Sequence, residues 1–182
     1  MRGGAMNLRL AALSVLLLVS AAAGKVTNEN AALEADDESV VDLSGGNFDA
    51  EFRAGLPHAY VVEFYNPSCT HCIEFAPVYA KVAKHYASDA GITVARVDGT
   101  QNRNLLTQFG VNSYPTVKFF PSKYKASTGF LGATYPRDRT EAALEDWIQH
   151  VRTMSVEQLQ HSSAQFKSMR GAPALSCPVG HA

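Results

Sequence analysis

The chain has 182 residues, 46% of them hydrophobic and 18% charged, with 13 Gly and 8 Pro. That make-up excludes a disordered, collagen-like or membrane-dominated chain, and the length suits one domain with tails. The 16 basic against 17 acidic side chains leave a formal net charge of -1, and no Lys/Arg-rich run stands out, so no nucleic-acid partner is expected.

Residues 1–23 read as a signal peptide. Arg2 and Arg9 form a positive start, residues 10–19 an apolar stretch, and Ala21-Ala22-Ala23 a small-residue cleavage site before Gly24. The apolar run is shorter than the ~20 residues a spanning helix needs. Cleavage is therefore expected rather than an uncleaved anchor, and no later segment is long and apolar enough to cross a bilayer. The mature protein is expected in an oxidising compartment. Residues 24–39 are an acidic lead-in with Glu29, Glu34, Asp36, Asp37 and Glu38 and no aromatic, and are expected to be flexible.

Order is expected over residues 40–153. Residues 40–43 suggest a short strand, Ser44-Gly45-Gly46 a turn, and Asn47 the start of a short helix ending near Gly55. Residues 59–65 are apolar on both faces, as in a buried central strand. From Cys72 the period changes: Phe75, Ala76, Tyr79, Val82, Ala83 and Tyr86 predict an amphipathic helix to about Ala87, kinked at Pro77. Residues 92–98 alternate like a strand, and 104–109 form a short helix stopped by Gly110. A strand is expected at 116–120 and a weaker edge strand at 130–133. Thr140 caps a last helix whose apolar face is Ala143, Leu144, Trp147, Ile148 and Val151, continuing past Arg152 toward Phe166. Residues 154–182 are then a helical extension and a tail, flexible from Arg170. Strands alternating with helices before a closing hairpin indicate an α/β fold with a mixed central sheet covered on both faces.

The cysteines are Cys69, Cys72 and Cys177, too few to staple a domain of this size. Cys69-Thr70-His71-Cys72 has two readings. As half of a zinc site it needs two more ligands, and only the distant Cys177 and His181 offer themselves, so no metal is expected. As a redox dithiol it has the setting its chemistry needs, after a buried strand and in the first turn of a helix. A helix N-terminus favours negative charge, which lowers a cysteine pKa, and the thiolate is the nucleophile. Cys69, nearer the helix start and more exposed, should attack a substrate disulfide. Cys72, one turn in, should resolve the mixed disulfide, with His71 adding positive charge or a hydrogen bond.

The run Val61-Val62-Glu63-Phe64-Tyr65-Asn66-Pro67-Ser68-Cys69-Thr70-His71-Cys72-Ile73-Glu74-Phe75-Ala76-Pro77-Val78-Tyr79 resembles the active-site region of protein disulfide isomerases. The likeness continues through Val97-Asp98-Gly99-Thr100, Phe109-Gly110-Val111, Tyr114-Pro115-Thr116-Val117-Lys118-Phe119-Phe120 and Trp147-Ile148, covering residues 40–152. The segment Cys72 to Pro77 is also similar to the first thioredoxin domain of quiescin sulfhydryl oxidases. The resemblance implies a thioredoxin-like fold and exchange of disulfides in client proteins. No cofactor is implied, because the cysteines carry the two electrons.

By the same resemblance, Pro115 matches a cis-proline beside the dithiol and Glu63 a buried carboxylate beneath the second cysteine. Arg139, eight residues before Trp147, matches a mobile arginine that assists the buried thiol. Clients would be met by Ser68, Thr70, Tyr114 and Pro115. Two positions depart from the family pattern: Ser68 replaces a tryptophan and Thr70 a glycine, which bears on potential and substrate preference. Implied partners are unfolded or disulfide-containing clients and an upstream thiol oxidase, in the endoplasmic reticulum lumen or secreted. The last residues, Val179-Gly180-His181-Ala182, are no retention signal, so retention would need a partner or further chain. Two other readings stand beside this one: a redox-weak chaperone or binding module, and the thioredoxin part of a sulfhydryl oxidase. Cys177 is open between a mixed disulfide with a partner, a return to Cys69 as a third thiol, and no role.

Overall fold

In the computed structural model the described residues are 39–54, 58–122, 124, 129–136, 138–168 and 176–180. The expected signal peptide and nearly all of the acidic lead-in lie outside them. Strand β1 is Val41–Leu43, followed by helix α1 (Gly45–Ala54) and strand β2 (Ala59–Tyr65). Helix α2 (Thr70–Tyr86), strand β3 (Ile92–Asp98) and helix α3 (Arg103–Gln108) come next. The chain continues with β4 (Ser113–Tyr114), β5 (Thr116–Phe120), β6 (Ala133–Thr134), α4 (Glu141–Val151), α5 (Val156–Ser168) and β7 (Cys177–Pro178).

The main sheet has the order β1-β3-β2-β5-β6. β1, β3 and β2 run parallel, while β5 and β6 pair antiparallel. This is the expected mixed sheet. β2 lies between β3 and β5, and every residue from Ala59 to Phe64 is buried, which explains a run that is apolar on both faces except at Glu63.

Successive side chains of a strand point to opposite faces, and β5 shows how the layers are made. Phe119 meets Trp147 of α4 edge-on at 6.3 Å, and Phe120 meets Phe109 beyond α3 at 5.2 Å. Phe48 of α1 and Phe64 of β2 also pack on Phe109. α2 shares the other face with α4, where Gln149 donates to the Tyr86 hydroxyl at 3.0 Å. Its buried stripe of Cys72, Phe75, Tyr79, Val82, Ala83 and Tyr86 keeps the helical period. The Tyr79 hydroxyl reaches Val61 O and Ala95 O, at 3.0 and 2.8 Å, and joins α2 to two strands.

Several expected boundaries move. α1 begins at Gly45 instead of Asn47, and the Asn47 side chain turns back to accept from Ser44 N at 2.6 Å. The edge strand falls at 133–134, not 130–133. Gly132 precedes it at φ 82°, where a Cβ would stand 2.8 Å from the Phe120 ring. The last helix does not run from Arg152 to Phe166: α4 ends at Val151, and Met154 N bonds back to Val151 O. Ser155 and Gln158 then form a reciprocal cap for α5, with Ser155 N to Gln158 Oε1 at 2.8 Å and Gln158 N to Ser155 Oγ at 3.3 Å. The tail holds one further strand. β7 pairs antiparallel with β4 in a two-stranded sheet.

Candidate functional site

β2 delivers the chain to the dithiol. Beyond Tyr65, the Asn66 side chain accepts from Ser68 N at 2.8 Å, and Asn66 O accepts from Cys69 N at 3.0 Å. This turn sets Cys69 at the N-cap of α2 with extended backbone. Cys69 O accepts the first helical bonds, from Cys72 N at 2.9 Å and Ile73 N at 3.1 Å. Its side chain makes no capping hydrogen bond. The sulfur therefore sits where free backbone N–H groups and the helix dipole favour a thiolate.

Cys69 is not the exposed cysteine that the helix position suggested. It forms a disulfide with Cys177, 108 residues away in sequence, with a Cα–Cα distance of 6.1 Å. The Cys177 segment leaves Cys69 only 3% exposed. Of the readings open for Cys177, the return to Cys69 is the one observed. Cys72 is a free, buried thiol, and Asn66 N–H donates to its sulfur at 3.5 Å.

Glu63 stands on β2 opposite Arg96 of β3 and Val117 of β5, and is buried. Burial pushes its carboxyl up to about 8, against the attraction of Arg96 and Arg139. Its Oε1 has no hydrogen-bond partner among the described residues. Burial likewise pushes the Cys72 thiol up to about 12. The Asn66 N–H opposes this, the Glu63 charge adds to it, and the Arg139 charge works against it. Arg139 is half-buried, and burial lowers its own pKa despite the pull of Cys72 and Glu63. The fold thus brings Glu63 of β2, Cys72 of α2 and the distant Arg139, in the loop before α4, into one electrostatic group.

The remaining expected residues ring the sulfur. The Tyr114–Pro115 peptide bond is cis, and Tyr114 O lies 3.8 Å from Cys69 Sγ. Ser68 and Thr70 are exposed. His71 does not turn to the sulfur: its Nδ1 lies 3.5 Å from Glu74 Oε2, three residues on. Among the described residues no group of three or more His, Cys, Asp or Glu is placed to hold a metal.

Three contributors carry no signal in local sequence. Gly99 lies under the Tyr114 ring, so close that a Cβ there would stand 2.5 Å from Tyr114 Oη. Asn112 and Arg103 hold the tail: Val179 N donates to Asn112 O at 3.1 Å, and Arg103 Nη1 to Gly180 O at 3.0 Å. The Asp98-Gly99 pair lay within the resemblance, but only the packing gives the glycine a purpose.

Residues 39–150 match the thioredoxin family. The chain belongs to the thioredoxin family. This thioredoxin domain is 39% identical over 103 residues to protein disulfide isomerase-like 2-2 of Oryza sativa subsp. japonica, covering 57% of this chain and 28% of the relative. It is 44% identical over 93 residues to the protein disulfide-isomerase of Oryctolagus cuniculus, covering 50% and 18%. The chain thus spans less than a third of these relatives' length. Among solved structures, the J-Trx1 fragment of ERdj5 superposes with a TM-score of 0.54 at 33% identity, over 65% of this chain and 52% of that one. The first thioredoxin domain of mouse protein disulfide-isomerase A4 gives 0.51 at 32%, over 63% and 76%.

Proposed function

We propose that this thioredoxin domain is a thiol–disulfide oxidoreductase of the protein disulfide isomerase kind, acting on cysteines of client proteins. One observation carries the reading: a disulfide-bonded Cys69 at a helix N-terminus has a free Cys72 thiol one turn behind it, electrostatically coupled to the buried Glu63.

In the reducing direction, the Cys69 thiolate attacks a client disulfide. A Cys69–client bond forms, and the first client sulfur leaves as a thiolate. Cys72 gives its proton to the Glu63 carboxylate and attacks Cys69 Sγ, and the second client sulfur leaves. The client gains two electrons and Cys69–Cys72 becomes a disulfide. Run backwards, the sequence oxidises a client, and halting at the mixed disulfide allows rearrangement. Arg139 supports both ionisations, since its charge favours the carboxylate and the thiolate. Tyr114 and Pro115 present backbone to an extended client segment. Ser68 and Thr70 offer it polar contacts in place of the family's tryptophan and glycine, and His71 stands beside them with Glu74.

Repeated oxidation of clients needs an upstream thiol oxidase to restore Cys69–Cys72. The reading of residues 1–23 as a signal peptide, and the protein disulfide-isomerase relatives, support work in the secretory pathway, in the endoplasmic reticulum lumen or outside the cell. No helix of the described residues is long and apolar enough to cross a membrane.

The reduction potential of Cys69–Cys72, measured in glutathione buffers with acid trapping, tests the reading. A value near about -180 mV indicates an oxidant or isomerase, and one near about -270 mV a reductase or relay. A pair that never cycles overturns the enzyme reading. A binding module that holds clients through Cys69 then takes its place, a reading that the raised Cys72 pKa favours.

A further inference from the structure

The tail engages Cys69 as an extended peptide does, not as a loose end. Cys177 and Pro178 form β7, in antiparallel register with Tyr114 and Ser113. Val179 N continues the pairing onto Asn112 O, and Arg103 fixes Gly180 O. Cys177 and Val179 are half-buried and pack against the core, whereas Ser176, Pro178 and Gly180 are exposed. This alternation is that of an extended peptide paired with a single short strand, where backbone bonds supply affinity and alternate side chains turn inward. A bond between tail and dithiol also requires both sulfurs to reach one point from positions 108 residues apart. The pairing beside Tyr114 achieves this.

We propose that Cys177 is a second resolving cysteine, which displaces a client from Cys69 by the same movement that seats residues 177–179 on the Tyr114 edge. This rests on the reading of Cys69 as the attacking cysteine. The step balances without an outside oxidant. In a Cys69–client mixed disulfide the Cys177 thiolate attacks Cys69 Sγ, the Cys69–client bond breaks, and the client sulfur leaves as a thiolate. The product is the Cys69–Cys177 disulfide, at the oxidation level of Cys69–Cys72. The two are joined by one more exchange, in which a Cys72 thiolate attacks Cys69 and Cys177 leaves. Because clients and tail use the same edge, loss of the covalent bond and loss of the backbone pairing fall together. While the tail is seated Cys69 is shut off from further clients.

The test uses the full chain after its leader is removed, as Cys72→Ser and as Cys72→Ser with Cys177→Ser. Each reduced protein is mixed with the homodisulfide of a short fluorescent peptide that contains a single cysteine. The expected result is that Cys72→Ser releases both peptides and yields a Cys69–Cys177 cross-link on peptide mapping. The double variant should release one peptide and keep the other on Cys69. A Cys72→Ser protein that also stops after one peptide overturns the proposal. If neither variant forms a mixed disulfide and the wild type releases no peptide, it is the underlying oxidoreductase reading that fails. Acid-quenched, oxidised wild type gives an independent measure. It should contain Cys69–Cys177 alongside Cys69–Cys72, and a map holding Cys69–Cys72 alone with Cys177 fully alkylated also overturns the proposal.

Discussion

Glu63 on β2 and Cys72 on α2 are coupled across the buried interior, and burial drives each toward its neutral form, the carboxyl to about 8 and the thiol to about 12. Each negative charge would raise the other's pKa, so the two do not ionise together. A proton must pass from one to the other if Cys72 is to attack. Arg139 supplies opposite charge to both.

Glu63→Gln removes the acceptor and keeps the shape. Resolution of a mixed disulfide by Cys72 should slow by about a hundredfold, the lower end of general-base contributions. In the wild type the rate should climb as pH passes through about 8, where Glu63 becomes a carboxylate. The variant should lack that step and rise only as the thiol itself ionises at higher pH. Stopped-flow release of a labelled peptide across pH 6–10 reads this, and superimposable profiles would remove Glu63 from the mechanism.

The same carboxyl predicts how stability depends on pH. An ordinary glutamate titrates near 4.5 and Glu63 near 8, so between those values the unfolded chain gives up a proton that the native state keeps. The stabilisation is complete below about 4.5 and declines as pH rises to about 8. At 1.36 kcal/mol per pH unit the decline is at most about 5 kcal/mol. Urea midpoints of Glu63→Gln should change less than those of the wild type over this window. Equal slopes would show that the Glu63 proton is not what the fold holds.

Lys118 makes the opposite prediction. It is buried in β5, with Nζ donating to Thr134 Oγ1 at 3.0 Å, and burial lowers its pKa from 10.5 to about 8. Between those values the unfolded chain binds the extra proton, so its penalty is full below about 8 and fades as pH rises to about 10.5. Lys118→Met should stabilise the protein at pH 7 by about 2 kcal/mol, a burial cost near 3 less about 1 for the lost hydrogen bond. The gain should vanish before about pH 10.5 and turn there into a loss of about 1 kcal/mol, that of the hydrogen bond. Denaturant melts at the two pH values decide it, and destabilisation at pH 7 would mean the ammonium is better held than its burial implies.

Gly99→Ala tests the packing under the client edge. The new Cβ would stand 2.5 Å from Tyr114 Oη, 2.6 Å from Tyr114 Cε1 and 2.9 Å from Leu106 Cδ2. Tyr114 must shift, and overpacking of this kind costs about 1–3 kcal/mol. Mixed-disulfide formation at Cys69 should slow with it, because β4 carries the paired backbone. A thermal melt and a peptide-coupling rate are the two readouts. Unchanged values in both would show that Tyr114 relaxes freely.

The elements that were legible in the chain are those whose evidence is local. The run 59–65 reads as a buried strand because β2 lies between two neighbours and under helices. The α2 stripe reads as a helix because one face meets the sheet. Thr140 was legible as a cap, and its Oγ1 does accept from Ala143 N at 3.3 Å. The break between α4 and α5 was missed although it is also local. Ser155 and Gln158 are a capping pair, but apolar residues on both sides hid it.

By itself the sequence determined that two cysteines share the first turn of a helix behind a buried strand, because strand burial, helical period and Cys-x-x-Cys spacing all act over a few residues. The resemblance implied Glu63, Arg139 and Pro115 as their neighbours, and only the tertiary structure decided how these are held and what else meets the dithiol. Glu63, Cys72 and Arg139 come together through sheet register and helix packing, and the Tyr114 ring is seated on Gly99. Cys177 meets Cys69 across 108 residues through a strand of two residues, too short to have a period. The energy that places it lies in backbone pairing to Asn112 and Tyr114, groups that every residue carries and no side-chain pattern announces.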